Sequence, residues 1–321
     1  MKLGVLTVLF SNLTLEDTLK KLKPLGVQTV ELGCGGYPGT AHADAAHLLE
    51  NPDKITELLE LVKEYGMEIS AFSCHGNPVH PDKEIASAFD RDFRNAVLLA
   101  EKAGIDTVIT FSGCPGDSRN AKYPNWVTCP WPDDFGRILE YQWNDVLIPY
   151  WKEAAKFARD HGIHKIGLEM HPGFCVYNPE SLLKLRAAVG PEIGANFDPS
   201  HLFWQGIDPV MAIRALKGCI WHFHAKDCKV MNANSRINGV LDTKHYGDEF
   251  NRSWIFRTMG YGHGQEEWNE IFSTLKMAGY DGAISIEHED SLMSSEEGLE
   301  KAISFLKGSI IFRETGEMYW A

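Results

Sequence analysis

In the second half of this chain, four short apolar runs each end in a side chain that can bind a cation or move a proton. These side chains are Glu169, Asp198, His224 and Glu287, called here the four strand-end residues, and each precedes a loop rich in glycine, proline or polar residues. Three carboxylates with one imidazole suit a hard or borderline divalent cation. Isolated buried carboxylates are very costly, so four converging groups favour a bound cation over four separate hydrogen-bonded strand ends.

The elements that would position these residues alternate regularly along the chain. Short apolar, β-branched runs are typical of parallel strands covered by helices, and the amphipathic segments between them are typical of helices. Several of those segments end at a glycine directly before the next run, as at Gly104, Gly162 and Gly279. The predicted strands cover residues 2–8, 28–33, 68–73, 106–112, 164–169, 193–198, 219–226 and 283–288.

Eight strand-then-helix units predict a single domain over residues 1–321, an α/β fold of the closed (β/α)8 TIM-barrel type. The rival fold, an open doubly wound sheet, usually has a glycine-rich loop after its first strand. Here that strand runs into Phe10 and Ser11. Long insertions at 114–141 and 228–263 follow strands four and seven, on the barrel face where active sites form. We expect them to be lids over this mouth or an oligomer interface.

Strand alternation adds further residues to the same mouth. Because successive side chains point to opposite faces, Lys226 shares a face with His224, and His171 lies just beyond the fifth strand. His75 follows strand three and Glu31 ends strand two, so both are candidates to reach the pocket. Two roles stay open for Lys226. It would bind an anionic or keto group or stabilise an enolate, or it would form a salt bridge with the adjacent aspartate or the eighth-strand glutamate.

Composition and charge exclude several classes of protein. Of the 321 residues, 44% are hydrophobic, enough to fill a large core. The formal net charge of −13 opposes non-specific binding to nucleic acid or to anionic membranes. The seven dispersed cysteines are typical of reduced thiols in a cytoplasmic protein. The apolar start lacks a small-residue cleavage site, so we expect a buried first strand there and not a signal peptide.

The order and placement of the four strand-end residues resemble those of the xylose isomerase-like TIM-barrel superfamily, in its sugar phosphate isomerase/epimerase branch. Ketose 3-epimerases and inosose isomerases and dehydratases belong to that branch. The resemblance extends from the first strand to about residue 312 and implies that the four strand-end residues are the metal ligands. His201, three positions after Asp198, resembles a histidine that contacts substrate oxygen. Arg257 lies in a segment that resembles the family's Arg-x-Pro-Gly-x-Gly motif, which makes it a candidate substrate-binding residue.

The resemblance implies an isomerase or epimerase that removes a proton next to a carbonyl of a sugar or cyclitol, through an ene-diolate. Glu169 and Glu287 would be the acid and base on opposite faces of the substrate while also binding metal. Mn²⁺ is the expected metal, with Mg²⁺, Co²⁺ or Zn²⁺ as alternatives. The alternative function is a metal-dependent lyase or dehydratase on a keto-sugar, keto-glycoside or inosose, in which the same enolate expels a β-leaving group. We expect a homo-oligomer.

Two departures from the epimerase pattern indicate a differently built pocket. Cys175 stands where the epimerases carry a second glutamate, and His171 would take over its substrate contact. Arg257 lies far along the chain from His224, whereas the epimerase arginine follows its histidine closely. Two other classes are less consistent with the sequence. An abasic-site DNA nuclease on this barrel needs more histidines and a basic groove, and a non-catalytic partner subunit has no use for an intact acid/base pair.

Overall fold

A computed structural model describes residues 1–320. Its strands are β1 (Lys2–Leu6), β2 (Thr29–Gly33), β3 (Glu68–Ser73), β4 (Thr107–Phe111), β5 (Lys165–Glu169), β6 (Ile193–Phe197), β7 (Ile220–Ala225), β8 (Asp227–Val230), β9 (Trp254–Arg257) and β10 (Ala283–Ile286). Eight of them close a parallel barrel in the order β1-β10-β7-β6-β5-β4-β3-β2. The predicted (β/α)8 barrel is therefore confirmed.

Helices alternate with the strands, and most of them cover the outside of the barrel. They are α1 (Leu15–Leu22), α2 (Ala45–Glu50), α3 (Pro52–Glu64), α4 (Lys83–Ala103), α5 (Asp133–Glu140), α6 (Ile148–Asp160), α7 (Pro179–Val189), α8 (Ser200–Phe203), α9 (Pro209–Ala215), α10 (Asn232–Asn238), α11 (Gln265–Met277) and α12 (Ser295–Lys307). Local signals fix several boundaries. The side chain of Asn178 caps α7 at Ser181, and Gly104 ends α4 with φ +70°. Within residues 1–320, no helix is both long enough and apolar enough to cross a bilayer.

The core lies between the strands and their covering helices, and strand alternation decides which side chains enter it. Phe197 and Phe223 stack at 5.7 Å between ring centroids, and Phe223 contacts Phe272 of α11. The side chains of Asn196 and His222 point the other way, into the barrel, where Oδ1 of Asn196 lies 3.1 Å from Nδ1 of His222. Apolar side chains thus fill the helix-facing layer, and polar side chains occupy the barrel interior.

The two long insertions are more structured than the sequence indicated. In the first, α5 continues through a π-helical stretch (Tyr141–Leu147) into α6, and the buried Gln142 amide donates to the carbonyl of Asn125 at 2.7 Å. In the second, β8 and β9 form an antiparallel ribbon that pairs Asp227 with Arg257 and encloses α10. Both insertions stand at the carboxyl face of the barrel. The ribbon was not predicted.

Candidate metal centre

The four strand-end residues converge at the carboxyl end of the barrel. Glu169 ends β5, Asp198 follows β6, His224 lies in β7, and Glu287 follows β10. Each offers a ligand atom, and these atoms all lie within 4.8 Å of one another. Glu169, Asp198 and His224 are buried, and Glu287 is partly exposed at the mouth. Four groups far apart in sequence therefore form one cluster, because neighbouring parallel strands end at the same edge of the barrel.

His224 connects this cluster to a second carboxylate deeper in the barrel. Its Nδ1 atom lies 3.0 Å from Oε2 of Glu287 and 3.2 Å from Oε2 of Glu169. Its Nε2 atom lies 3.0 Å from Oε2 of Glu31. Glu31, His222 and His224 thus form a second group with metal-ligand chemistry, which shares His224 with the first.

Glu31 is fully buried and surrounded by donors. The hydroxyl of Ser285 donates to its Oε2 at 2.7 Å, and that of Ser73 donates to Oε1. Burial alone would raise the pKa of Glu31, but the His224 and His222 rings and the hydroxyl of Ser73 hold it well below its ordinary value. Glu31 is therefore an ionised carboxylate beneath His224.

Glu169 is held by polar groups from three sides. Its Oε2 lies 3.1 Å from Nε2 of His75 and accepts from Nδ2 of Asn196 at 3.1 Å, and its Oε1 lies 3.0 Å from Nε2 of His201. Burial opposes ionisation, yet hydrogen bonds from His201, His224 and His75 hold the pKa of Glu169 well below its ordinary value. An ionised, immobilised carboxylate therefore stands at the end of β5.

Lys226 is the only lysine in residues 1–320 whose ammonium contacts this cluster. Its Nζ lies 2.7 Å from Oε2 of Glu287, 2.9 Å from Oε2 of Glu289 and 3.0 Å from Oδ2 of Asp198. Burial lowers the pKa of Lys226, but these carboxylates more than reverse that effect and raise it well above its ordinary value. Of the two salt bridges open from the sequence, the one with Glu287 forms.

The other predicted partner, Asp227, has a different task. Its Oδ2 accepts backbone N–H bonds from Gly262 and His263, both at 2.9 Å, and its Oδ1 lies 2.8 Å from Nδ1 of His263. Gly262 has to be glycine here, because a Cβ at this position would lie 2.1 Å from the carbonyl oxygen of Cys228. Asp227 therefore anchors the loop after β9 against the barrel mouth.

The chemistry of the cluster fits a divalent cation. Asp198 is fully buried and its Oδ1 accepts from the backbone N–H of Ser200 at 2.8 Å. Its Oδ2 receives no well-directed hydrogen bond from any group in residues 1–320, although Lys226 is close. Burial accordingly raises the pKa of Asp198 despite that lysine. A buried carboxylate oxygen that lacks a well-directed hydrogen bond, among oxygen and imidazole ligands, is a coordination position that a cation would satisfy.

The predicted substrate-binding residues divide into two groups. His75 and His201 contact Glu169, Lys226 contacts three carboxylates, and the ring of His171 packs 4.1 Å from that of His201. Arg257 is placed differently. Its Nε donates to Oδ2 of Asp290 at 3.0 Å, and its guanidinium lies 5.3 Å from the Tyr261 ring centroid. The structure therefore brings four of the five candidates around the cluster and directs the fifth toward Asp290.

An open cavity in two parts lies above the cluster. The smaller part, called here the head compartment, has a volume of about 240 Å³ and is bordered by Glu169, Glu287, Glu289 and His75. The larger part, the aromatic cleft, has a volume of about 530 Å³ and is lined mainly by rings. Sequence reasoning missed this cleft. Phe111 at the end of β4 was the one signal for it, since strand ends face the mouth.

The chain belongs to the xylose isomerase-like TIM-barrel family, whose sequence model matches residues 19–309. Two structural neighbours have the names of enzymes. The probable 3-DHS dehydratase AsbF of Bacillus anthracis matches with a TM-score of 0.65 and 18% identity, over 96% of this chain and 99% of its own. A D-tagatose 3-epimerase-like protein matches with a TM-score of 0.63 and 23% identity, over 96% and 97%. At these identities the likeness shows the fold alone.

A relative in sequence is much nearer than these structures. The uncharacterized protein YfiH of Bacillus subtilis (strain 168) is 40% identical over 313 residues, which cover 97% of this chain and 99% of that protein. The match therefore extends over nearly the full length of both chains. The family identified from the four strand-end residues is confirmed by these matches.

Proposed function

We propose that this protein is a divalent-metal-dependent isomerase or epimerase that acts on a sugar or cyclitol by removing a proton next to a carbonyl. One observation carries the proposal. Two ionised glutamates, Glu169 and Glu287, approach the same nitrogen of His224 within a ligand set that fits a divalent cation. Such a pair can accept and return protons while the cation binds the oxygens of the substrate.

The residues have separable tasks. Bound by the four strand-end residues, a divalent cation, Mn²⁺ by preference, would polarise the carbonyl and stabilise the negative charge of the ene-diolate. Glu169 accepts the proton from carbon, and His75 and His201 fix its oxygens for that approach. Glu287 returns a proton on the other face. Lys226 and His224, in spite of burial, lower the pKa of Glu287 to about 2, so this group also begins the cycle ionised. Glu287 therefore takes a proton from solvent before it protonates the ene-diolate, and Glu169 releases its proton to solvent to complete the cycle.

The second candidate function is that of a lyase, and the position of Lys226 favours it. Its ammonium lies 2.7 Å from Glu287, which borders the head compartment, and it would donate a proton to a departing β-oxygen there. The opening step, loss of the α-proton to Glu169, is the same. The two outcomes differ in whether the enolate is reprotonated or expels its substituent.

Proton exchange distinguishes these functions. The Mn²⁺-loaded enzyme is incubated in D₂O with a panel of keto-sugars and cyclitol ketones, and NMR follows the α-protons. Deuterium uptake with an isomer or epimer as product supports the leading proposal, whereas release of a substituent identifies the lyase. Glu169→Gln and Glu287→Gln should each reduce exchange by 10²-fold or more, roughly the contribution of a general base. Exchange retained in both variants contradicts the mechanism.

A matched variant controls for non-specific loss of carboxylate. Glu57 of α3 has a side chain that is 61% exposed, so Glu57→Gln should leave exchange unchanged. Circular dichroism on all three variants checks that the barrel remains folded. We further propose a homo-oligomer that acts in the cytoplasm on small molecules. The seven free thiols support that compartment.

A further inference from the structure

We infer that the substrate carries an aryl group next to its enolisable sugar or cyclitol head, and that this group binds in the aromatic cleft. The inference rests on the proposed function and deepens it. It begins from a mismatch in size, because the head compartment of about 240 Å³ adjoins a cleft of about 530 Å³. A free monosaccharide bound at the glutamates leaves the larger space unused.

The cleft has two aromatic walls from unrelated parts of the chain. On one side the rings of Phe111 and Phe174 stack at 4.3 Å and 18°, with His171 edge-on at 5.1 Å from Phe111. On the other side Tyr246 and Phe256 stack at 5.9 Å and 14°. The first wall belongs to the barrel mouth, and the second is built by the insertion that contains β8 and β9. The insertion therefore adds a hydrophobic binding surface that the eight strands alone would not have.

The cleft and the head compartment are continuous. Tyr37, Phe111 and Glu289 line both, so a ligand whose head reaches Glu169 extends past Phe111 into the cleft. Glu289 marks the boundary, where its Oε2 lies 2.9 Å from the ammonium of Lys226. Two partly solvent-exposed rings also border this space, since Tyr37 is 62% exposed and Tyr246 52%. Exposed aromatic surface that lines a concave site is typical of ligand binding.

The lining favours an aryl group over a second sugar. A second sugar would bring several hydroxyl groups, each of which needs a hydrogen-bond partner once it leaves water. Apart from the two tyrosine hydroxyls, the cleft supplies polar groups mainly from His171, Glu289 and Ser291. A flat ring needs no such partners, and it presents its faces to the stacked walls in the arrangement that aromatic pairs prefer.

Three matched ligands test the inference on the Mn²⁺-loaded enzyme. They are the phenyl, methyl and glucosyl glycosides of one keto-sugar. The rate of α-proton exchange in D₂O gives kcat/KM for each. We expect the phenyl glycoside to exceed the methyl glycoside by about tenfold or more, mainly through KM, because the aryl group adds binding remote from the reacting carbon. Tyr246→Ala, which removes one wall, should reduce this ratio severalfold. Tyr123→Ala, 78% exposed in the other insertion, should leave the ratio unchanged.

The outcomes separate the two proposals. Equal kcat/KM for the phenyl and methyl glycosides overturns the aryl inference while leaving the proposed function intact, and a glucosyl preference overturns it in favour of a disaccharide. Isothermal titration with the same glycosides covers the case in which none exchanges. Preferential binding of the phenyl glycoside without exchange then supports the cleft and contradicts the proposed function. No preference in binding and no exchange contradicts both.

Discussion

His224 contacts Glu31 through one ring nitrogen and Glu287 through the other, each at 3.0 Å. Because Glu31 accepts the proton on Nε2, it fixes the ring orientation and directs Nδ1 toward the four strand-end residues. Burial would lower the pKa of His224, but Glu31 and Glu287 raise it well above its ordinary value. Binding of a cation at Nδ1 must therefore displace a proton, and Glu31 keeps the other one in place.

Glu31→Gln tests this relationship directly. We expect it to weaken Mn²⁺ binding about 10–100-fold, because the amide no longer holds the histidine in the orientation and protonation state that coordination requires. Isothermal titration of metal-stripped protein gives the affinity for Mn²⁺. The same titration in buffers of different ionisation enthalpy gives the number of protons released on binding, which should differ between Glu31→Gln and the unaltered protein. Glu57→Gln is the matched control and should bind Mn²⁺ normally. If Glu31→Gln binds as tightly as the unaltered protein, Glu31 does not position His224.

Lys226→Met should lower the stability of the metal-free protein and raise its affinity for metal. The ammonium balances the buried Asp198 and the partly exposed Glu287 and Glu289, so its loss removes the counter-charge of Asp198 and Glu287 and should cost about 3–5 kcal/mol without metal. A divalent cation would then be the main remaining counter-charge. Its affinity should rise relative to the unaltered protein, and it should restore much of the lost stability.

Thermal unfolding with EDTA and with Mn²⁺ measures both effects of Lys226→Met. The increase in Tm on adding metal should be larger in this variant than in the unaltered protein, because the stabilisation from ligand binding grows with the logarithm of the affinity. Lys54→Met, at an exposed ion pair with Glu57, should show the unaltered increase. A smaller increase in Lys226→Met would mean that the lysine helps to build the cation site and does not compete with it.

The barrel could be predicted from sequence because its signals are local, whereas the contacts around Glu31 could not. Each predicted strand was one short apolar run, and the runs at 164–169 and 193–198 match β5 and β6 to within a residue. The run ending at Glu31 indicated a strand end and nothing about its partner. Its contact with His224 joins residues 193 positions apart and exists only because the barrel closes.

The ribbon was missed for a related reason. Its pairing of Cys228 with Phe256 bridges a long insertion, and such non-local antiparallel pairing depends on tertiary contacts more than on the intrinsic preferences of either strand. The aromatic cleft was not predicted for the same reason, since Phe256 forms part of one wall only after β9 has paired with β8. Alternation within strands, by contrast, correctly placed Lys226 beside the strand-end residues.

The insertion after β7 should loosen in acid through Asp242. Its Oδ2 accepts from the backbone N–H of Ser253 at 2.6 Å, and its Oδ1 accepts from that of Lys244 at 2.9 Å. Burial opposes ionisation of Asp242, but the ammonium of Lys244, 2.9 Å from Oδ1, and these two N–H groups lower its pKa from 3.8 to about 2. Because the folded pKa lies below the unfolded one, the stabilisation is complete above about pH 4 and is lost as the pH falls toward 2.

Amide hydrogen exchange on residues 240–255 measures this contribution. At pH 6, Asp242→Asn should exchange faster by an amount equivalent to about 1–2 kcal/mol, and the difference from the unaltered protein should shrink as both are moved toward pH 3. Asp117→Asn, exposed in the other insertion, should show no difference at either pH. A difference that stays constant with pH would assign the effect to the shape of the side chain and not to its charge.

Two glycines in the loop after β2 provide a matched test of how tightly the mouth is packed. Gly36 and Gly39 both have positive φ, +62° and +73°, so alanine at either position costs about 1–2 kcal/mol in backbone strain. Only Gly36 is also enclosed, since a Cβ there would lie 2.1 Å from the carbonyl oxygen of His75, whereas at Gly39 nothing lies within 4 Å. Urea unfolding should therefore show Gly36→Ala to be the more destabilising by about 1–3 kcal/mol, the usual cost of overpacking.

The carbonyl of His75 also accepts from the backbone N–H of Tyr37 at 2.8 Å, so Gly36→Ala should also raise KM for an aryl-bearing substrate, while Gly39→Ala leaves it nearly unchanged. Equal effects of the two substitutions on stability would mean that the loop can move away from His75 at little cost, and that Tyr37 is not held rigidly at the entrance of the cleft.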